Sequence, residues 1–255
     1  MANSGSGDSM VERVVRILGA FDRGHTDLSP SEVARRAGLP MSSAHRIVGD
    51  LLRTGLLERD LEGRVRIGMR LWELTTRGSR ALALRQAALP AMERAQAEIG
   101  EHVQLGVLDQ DEVLVIEQLS APDAVSNVTT VAGRLPLHAS SSGLVLLAFG
   151  RQTLRNRILA RPLPPVGPST ITDAAALGRR LDAVRRDGYA ILAGSIESVA
   201  TGISVPVADR AGTTVAVLSA VVPTGWPRER ETLDALRRTA QTVSEAIADY
   251  GILTH

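Results

Sequence analysis

Apolar residues Val11, Val14, Val15, Leu18 and Phe21 recur every three or four positions over residues 10–21, the period of an amphipathic helix. A second helix is expected to open in Leu28-Ser29-Pro30-Ser31-Glu32. There Ser29 can cap, Pro30 suits the first helical position because its missing N–H is not needed, and Glu32 can close a capping box. Val33, Ala34 and Ala37 face inward, and Gly38 permits a tight turn through positive φ. A third helix over about residues 41–54 has two chemically distinct faces. Ala44, Ile47, Val48, Leu51 and Leu52 form an apolar stripe; Ser42, Arg46, Gly49 and Arg53 lie opposite, flanked by Ser43, His45 and Asp50. Two strand-like runs, residues 56–59 and 64–67, then bracket the polar turn Asp60-Leu61-Glu62-Gly63. With Val65 and Ile67 inward, Arg64 and Arg66 project from the other face of this hairpin.

Gly68-Met69-Arg70-Leu71-Trp72-Glu73-Leu74 begins a helical linker that runs past Leu82 and Leu84, with weakened propensity at Gly78. Trp72 packs either within the subunit or against a second one; the pattern allows both. Pro90 suits the first turn of a helix carrying Met92, Ala95 and Ile99 that ends at Gly100. Residues 102–108 and 113–119 form a hairpin pattern around Asp109-Gln110-Asp111-Glu112, and residues 125–131 are expected to add a strand. Helical patterns follow at 140–149, 153–160 and 174–186. Strand patterns cover 189–196, 203–208 and 213–222, and a last amphipathic helix covers 229–250. The Pro- and Gly-rich residues 161–169 read as a surface loop near a pocket. Strands framing a helical middle give an α/β chain of the α+β kind, with a mostly antiparallel sheet.

A length of 255 residues with 44% apolar composition suits one small and one medium domain. The expected division is a disordered tail at 1–9, an N-terminal domain at 10–68, a linker helix at 69–87 and a C-terminal domain at 88–255. All 29 basic residues are Arg, a bias that suggests a GC-rich genome rather than selection at single sites. Residues 1–80 hold 13 Arg against 10 acids, and residues 81–255 hold 16 against 18. That asymmetry has the right sign for an N-terminal domain that meets phosphate. No run reaches the roughly 18 apolar residues of a spanning helix, and the first nine residues lack signal-peptide order, so a cytoplasmic protein with no membrane partner is expected. The absence of Cys rules out disulfides, thiolate-zinc sites and a Cys nucleophile.

Helix, helix, turn, helix and basic hairpin, in that order, read as a winged helix-turn-helix that binds double-stranded DNA. The short polar face of the third helix suits base edges in the major groove, with Ser42, Ser43 and Arg46 as readers and His45 on a base or a phosphate. Ser29, Ser31 and Arg35 of the second helix, with Arg53, Arg64 and Arg66, complete the candidate DNA contacts. An enzyme is the competing class. The five histidines show no metal-ligand spacing, no Gly-x-Ser-x-Gly elbow surrounds a serine, and a chain without Lys holds no Gly-Lys-Ser/Thr phosphate loop. His138 is better read as structural, and no catalytic residue, cofactor or metal is assigned. An enzyme carrying a winged-helix interaction module is the remaining alternative.

Several segments together resemble, in register from Val11 to about Tyr250, the IclR family of bacterial transcription regulators. They are the helix from Ser29 to Gly38, Leu39-Pro40-Met41-Ser42-Ser43-Ala44-His45-Arg46, the linker start at Gly68, Gly133-Arg134-Leu135-Pro136-Leu137-His138-Ala139-Ser140, and Ile203-Ser204-Val205-Pro206-Val207. The resemblance implies a GAF-like C-terminal effector domain, dimers or tetramers on palindromic operators, and repression or activation of catabolic operons in response to organic acids or aromatic compounds. It also implies an effector pocket between the sheet and residues 135–143, with polar contacts from Glu197 and Ser219. Relatives often have Gly-Lys where this chain has Gly143-Leu144. Physically, a helix starting near Ser140 offers free N–H groups and the Ser140, Ser141 and Ser142 hydroxyls to a carboxylate, with Leu135, Leu137 and Ala139 as the apolar wall. The alternative is that these serines only cap the helix. Gly143 and Ser204 complete the candidate effector contacts.

Overall fold

The computed structural model describes residues 8–249, which divide after Ser79 into two compact units. The first comprises α1 (Met10–Leu18), α2 (Pro30–Arg36), α3 (Met41–Arg53), β1 (Leu57–Arg59), β2 (Val65–Ile67) and α4 (Met69–Thr76). Both helices start where the sequence suggests, and both starts are built by capping boxes. Ser9 caps α1 and Asp8 pairs with Arg16, so these two residues do not belong to a tail; the rest of that tail lies outside the described residues. At α2 the Ser29 hydroxyl accepts from the Glu32 amide while the Glu32 carboxylate accepts from the Ser29 backbone N–H at 2.8 Å.

That backbone hydrogen bond is the chief reason the Glu32 carboxyl is held below its ordinary range, the Ser29 hydroxyl bond adding to it. A lowered carboxylate pKa contributes stability that is present above the ordinary range and is lost as pH falls through the folded value. Ser29→Ala is expected to reduce the folding equilibrium of this unit about fivefold at neutral pH, with a smaller difference below about pH 4. Urea unfolding at the two pH values measures it.

The turn between α2 and α3 is held from beneath. Gly38 adopts φ +60, and Arg16 donates to the Ala37 carbonyl at 2.8 Å and to the Gly38 carbonyl at 2.7 Å. These bonds satisfy carbonyls that the end of α2 leaves open. Ile17, Val33, Ala44, Ile47, Val48, Leu51, Leu57 and Val65 form the core of the unit. The wing is antiparallel, Leu57 opposite Ile67, and Leu28 adds one bridge to Val65 with N···O distances of 2.7 and 2.9 Å. Val65 is buried as expected, but Ile67 is 38% exposed. The ribbon outruns a small core, so its last apolar position has nothing to cover it.

The second unit begins at α5 (Arg80–Ile99) and continues with β3 (His102–Asp109), β4 (Glu112–Leu119), β5 (Arg134–Pro136), α6 (Ser141–Phe149), α7 (Gln152–Leu159), α8 (Ala174–Asp187), β6 (Ala190–Ala193), β7 (Ala200–Ala208), β8 (Thr214–Pro223) and α9 (Glu229–Asp249). Tyr250, the expected end of the last helix, lies outside the described residues. The expected linker is two helices rather than one, separated at residues 77–79. Pro90 lies inside α5 instead of opening a helix. Its missing N–H and ring are a local cost that burial of Leu84, Ala88, Met92, Ala95 and Ile99 offsets.

The sheet order is β5-β4-β3-β8-β7-β6, antiparallel throughout. Alternation along each strand supplies two apolar faces. Val103, Leu105, Ile203, Val205, Leu218 and Ala220 pack with α5 and α9. Val113, Val115 and Val217 pack with α6, α7 and α8 on the other side. The product is a helix–sheet–helix sandwich. Residues 125–131 form no strand, contrary to expectation, and the three-residue β5 that the pattern does not suggest occupies the sheet edge.

The reason is visible in the hydrogen bonds. The Val125 amide donates to Glu101 Oε2 at 2.9 Å, its carbonyl contacts His102 Nε2 at 2.5 Å, and the Val128 amide donates to Glu197 Oε2 at 3.1 Å. Side chains thus take the backbone groups that a ladder would need, and residues 121–131 become a strap. Among the described residues no helix is long and apolar enough to cross a membrane, and no group of three or more His, Cys, Asp or Glu residues could hold a metal ion.

Candidate functional site

In the first unit, burial of Ala44, Ile47, Val48 and Leu51 turns the polar side of α3 outward. Ser42, His45 and Arg46 are exposed and Ser43 is half-buried. Arg46 has no ion-pair or hydrogen-bond partner among the described residues, whereas Arg53 pairs with Asp50 at 2.8 Å. At Gly49 an added Cβ would meet nothing within 4 Å, so this face has a flat, open centre. On α2, Arg35 and Ser31 are exposed, and the Ser29 and Ser31 hydroxyls lie 3.0 Å apart. Arg64 bonds the Asp27 carbonyl, and Arg66 lies 3.6 Å from Glu58. The wing arginines are exposed but tethered at their guanidinium groups, so contact with phosphate would exchange one partner for another.

The second unit contains a cavity, partly open to solvent, between the sheet and the start of α6. Its floor follows from strand register. Gln104 lies opposite Ser219, which lies opposite Ser204; two residues along, Val221 lies opposite Gly202. Directly paired residues share a sheet face, so Gln104, Ser219, Val221 and Gly202 form one patch. The start of α6 closes it from above, with Ala139 and Ser140 to Ser142, and Leu135 adds an apolar wall. Close approach depends on glycine: a Cβ on Gly202 would stand 3.3 Å from Ser141 Cβ, and one on Gly143 would stand 2.5 Å from Leu137 Cα. The sides are Asn127, Val128 and Thr129 of the strap and Ser195, Ile196 and Glu197 beyond β6.

Of the expected effector contacts, Leu135, Ala139, Ser140, Ser141, Ser142, Glu197 and Ser219 line this cavity; Leu137, Gly143 and Ser204 do not. Leu137 is buried in the core beneath α6, and Gly143 is the contact point between helix and Leu137 backbone. Ser204 is wholly buried, donates to Ser141 Oγ at 2.7 Å and lies 3.3 Å from Ser142 Oγ. It therefore supports the serines from behind. Ser140 caps α6, accepting from the Gly143 amide at 3.0 Å and donating to the Pro136 carbonyl at 3.0 Å. The capping reading of the serines thus holds for Ser140. No acceptor among the described residues meets the backbone N–H of Ser141 or Ser142.

Glu197, besides lining the cavity, bonds the strap: Oε1 accepts from the Ser126 hydroxyl at 3.2 Å and Oε2 from the Val128 amide at 3.1 Å. Both oxygens hold the strap. Glu197→Gln is expected to raise amide hydrogen exchange at Val128 several-fold, because a neutral side chain loses the charge-assisted part of both bonds. Unchanged exchange there would remove Glu197 from this role. The Pro-rich loop contributes indirectly: Thr170 donates to the Ser195 carbonyl at 2.6 Å and braces that wall. His138 is buried, with Nε2 2.9 Å from the Pro164 carbonyl, as a structural histidine should be. Gln104, Asn127, Thr129, Ser195, Gly202 and Val221 are cavity residues that the sequence reading missed. A single Gln within the otherwise apolar run Val103 to Leu108, at the register of Ser219, was the one signal for them.

A winged helix-turn-helix followed by a sheet domain with a polar-lined cavity defines a two-part transcription regulator. The chain belongs to the IclR family: residues 10–61 match the IclR helix-turn-helix domain and residues 79–247 match the bacterial transcriptional regulator IclR C-terminal domain. It is similar to an IclR homologue from Microbacterium hydrocarbonoxydans solved in complex with 4-hydroxybenzoate, with 50% identity, a TM-score of 0.88 and coverage of 94% of this chain and 99% of that one. It is also 30% identical to the glycerol operon regulatory protein of Streptomyces griseus, covering 92% of this chain and 94% of that protein. The HTH-type transcriptional regulator KipR of Bacillus subtilis is 30% identical, over 71% of this chain and 72% of its own length.

Proposed function

We propose that this chain regulates a catabolic operon, binding double-stranded operator DNA through α3 and the wing, and that a small organic acid, aliphatic or aromatic, enters the cavity at the start of α6 and changes that affinity. The observation that carries the effector reading is the pair of unbonded N–H groups of Ser141 and Ser142, two cavity-lining residues at the positive end of a buried helix. Such a helix start favours an anion. The 4-hydroxybenzoate complex of the Microbacterium protein supports an aromatic carboxylate. Residues 10–68 then form the DNA-binding domain, 69–87 the linker and 88–255 the effector domain.

The binding role is preferred over turnover, and the protein works in the cytoplasm, where operator DNA is. Exposed Val11 and Val15 on α1, with Met69, Trp72 and Leu74 on α4, support self-association as a homodimer or homotetramer. An effector can shift operator affinity only by binding the DNA-competent and DNA-incompetent states unequally. Thermal-shift measurements with aliphatic and aromatic carboxylates, 4-hydroxybenzoate among them, are expected to yield at least one acid that raises Tm by roughly 5 to 10 °C at 100 times its Kd. The same acid should alter gel-shift affinity for DNA upstream of the gene and be recovered unchanged by mass spectrometry. Stabilisation without any change in DNA binding would defeat the regulatory coupling, and turnover of the acid would favour an enzyme.

A further inference from the structure

Beyond the start of α6, the same cavity contains polar side-chain atoms that the fold leaves without partners. Gln104 is 2% exposed and Ser195 is 3% exposed, yet Gln104 Nε2 and Ser195 Oγ have no hydrogen-bond partner, and neither does Asn127 Nδ2 of the strap. All three residues line the cavity. A buried donor without an acceptor is costly, and most buried polar groups in folded proteins are paired. Three such atoms around one space mark a region that expects polar matter.

Register gives this region its place. Gln104 lies two strands away from Ser204, the residue beneath Ser141 and Ser142, with Ser219 between them. Neighbouring strands are about 4.8 Å apart, so the Gln104 backbone stands about 10 Å across the floor from that of Ser204. That separation suits the two ends of one small ring compound. Gln104 Nε2 and Asn127 Nδ2 can only donate, whereas the Ser195 hydroxyl can also accept. A ligand hydroxyl satisfies both kinds of group at once, accepting from an amide and donating to Ser195.

Building on the reading of this cavity as an effector site, we infer that Gln104, Ser195 and Asn127 form a distal polar subsite that selects carboxylates bearing a hydroxyl at the end remote from the carboxylate. Gln104 is its specificity-determining residue because it is fixed in a central strand, whereas Asn127 belongs to the strap. Removing the ligand hydroxyl leaves buried donors unpaired; removing the Gln104 amide makes the same region tolerate an unsubstituted ring.

Calorimetric titration of 4-hydroxybenzoate and benzoate into the full-length protein and into Gln104→Leu, Gln104→Met and Ser195→Ala tests this, with thermal unfolding to establish that each variant is folded. Wild type is expected to prefer the hydroxylated acid by roughly 10- to 100-fold. Either Gln104 substitution should bring the preference to within about threefold, chiefly by weakening 4-hydroxybenzoate binding, and Ser195→Ala should reduce it partially. Gln118 Oε1, across the strand pair from Gln104, also lacks a partner. Were the Gln104 amide there only to serve Gln118, the substitutions would lower Tm and leave the ligand preference at its wild-type value, which overturns the subsite. Equal affinity of wild type for the two acids overturns it as well, while sparing the cavity reading. Binding of neither acid to any form of the protein overturns both.

Discussion

Alanine in place of Arg46 is expected to lower specific operator affinity by roughly 10- to 100-fold while leaving weak binding to unrelated DNA nearly unchanged. The expectation rests on position and on freedom. Arg46 stands one turn into α3 on its exposed face, and no acidic side chain among the described residues holds it. Its guanidinium is open to the bidentate acceptors of guanine, an interaction worth about 1 to 3 kcal/mol for each such pair. Arg64 and Arg66 differ, being tethered to the Asp27 carbonyl and to Glu58. Their alanine variants should weaken all DNA sequences alike, each reducing the slope of log affinity against log salt by about 1 for every phosphate left without its arginine. Gel shifts on specific and scrambled duplexes over a range of salt separate the two behaviours. An Arg46→Ala protein that still prefers its operator by the wild-type factor would remove α3 residue 46 from the reading face.

Valine at Gly143 is expected to lower the Tm of the second unit by roughly 6 to 12 °C and to abolish carboxylate binding. Gly143 lies in the first turn of α6, where even a Cβ would stand 2.5 Å from Leu137 Cα and 2.6 Å from its carbonyl carbon. Both neighbours are backbone and cannot rotate away. Relief requires α6 to lift from the sheet, which breaks the Ser204 hydrogen bonds to Ser141 and Ser142 and opens the core around Leu144 and Leu147. Overpacking of this kind costs about 3 kcal/mol, occasionally more. Gly178 in α8 is the control: its Cβ would meet only the end of Arg155, at 4.0 Å. Gly178→Ala should stabilise by about 0.5 to 1 kcal/mol through reduced backbone entropy of the unfolded chain. If Gly143→Val unfolds no earlier than wild type, close packing at α6 is not what shapes the cavity.

Features set by neighbours in sequence could be read without coordinates. The capping box at Ser29, the Gly38 turn, the two faces of α3 and the β3–β4 hairpin all depend on side chains within a few positions of the backbone they serve, so local chemistry sufficed. The helix start at Ser140 was legible for the same reason. Elsewhere distant partners overrode local pattern. Pro90 was tolerated inside α5 because packing on the sheet outweighed its cost, and the β-prone residues 125–131 became a strap because Glu101, His102 and Glu197 took their backbone groups.

The alternation of apolar and polar residues thus determined by itself that this chain builds a winged helix-turn-helix and an antiparallel sheet packed with helices, since burial of one face per element leaves few other arrangements. Only the tertiary structure decided which side chains meet. It tied Glu197 of the cavity wall to a strap, hid Ser204 behind the serines of α6, and brought Gln104, Asn127 and Ser195 to one cavity from three separate parts of the chain. Pairing across strands joins residues a hundred positions apart, and periodicity within a single strand cannot specify the partner.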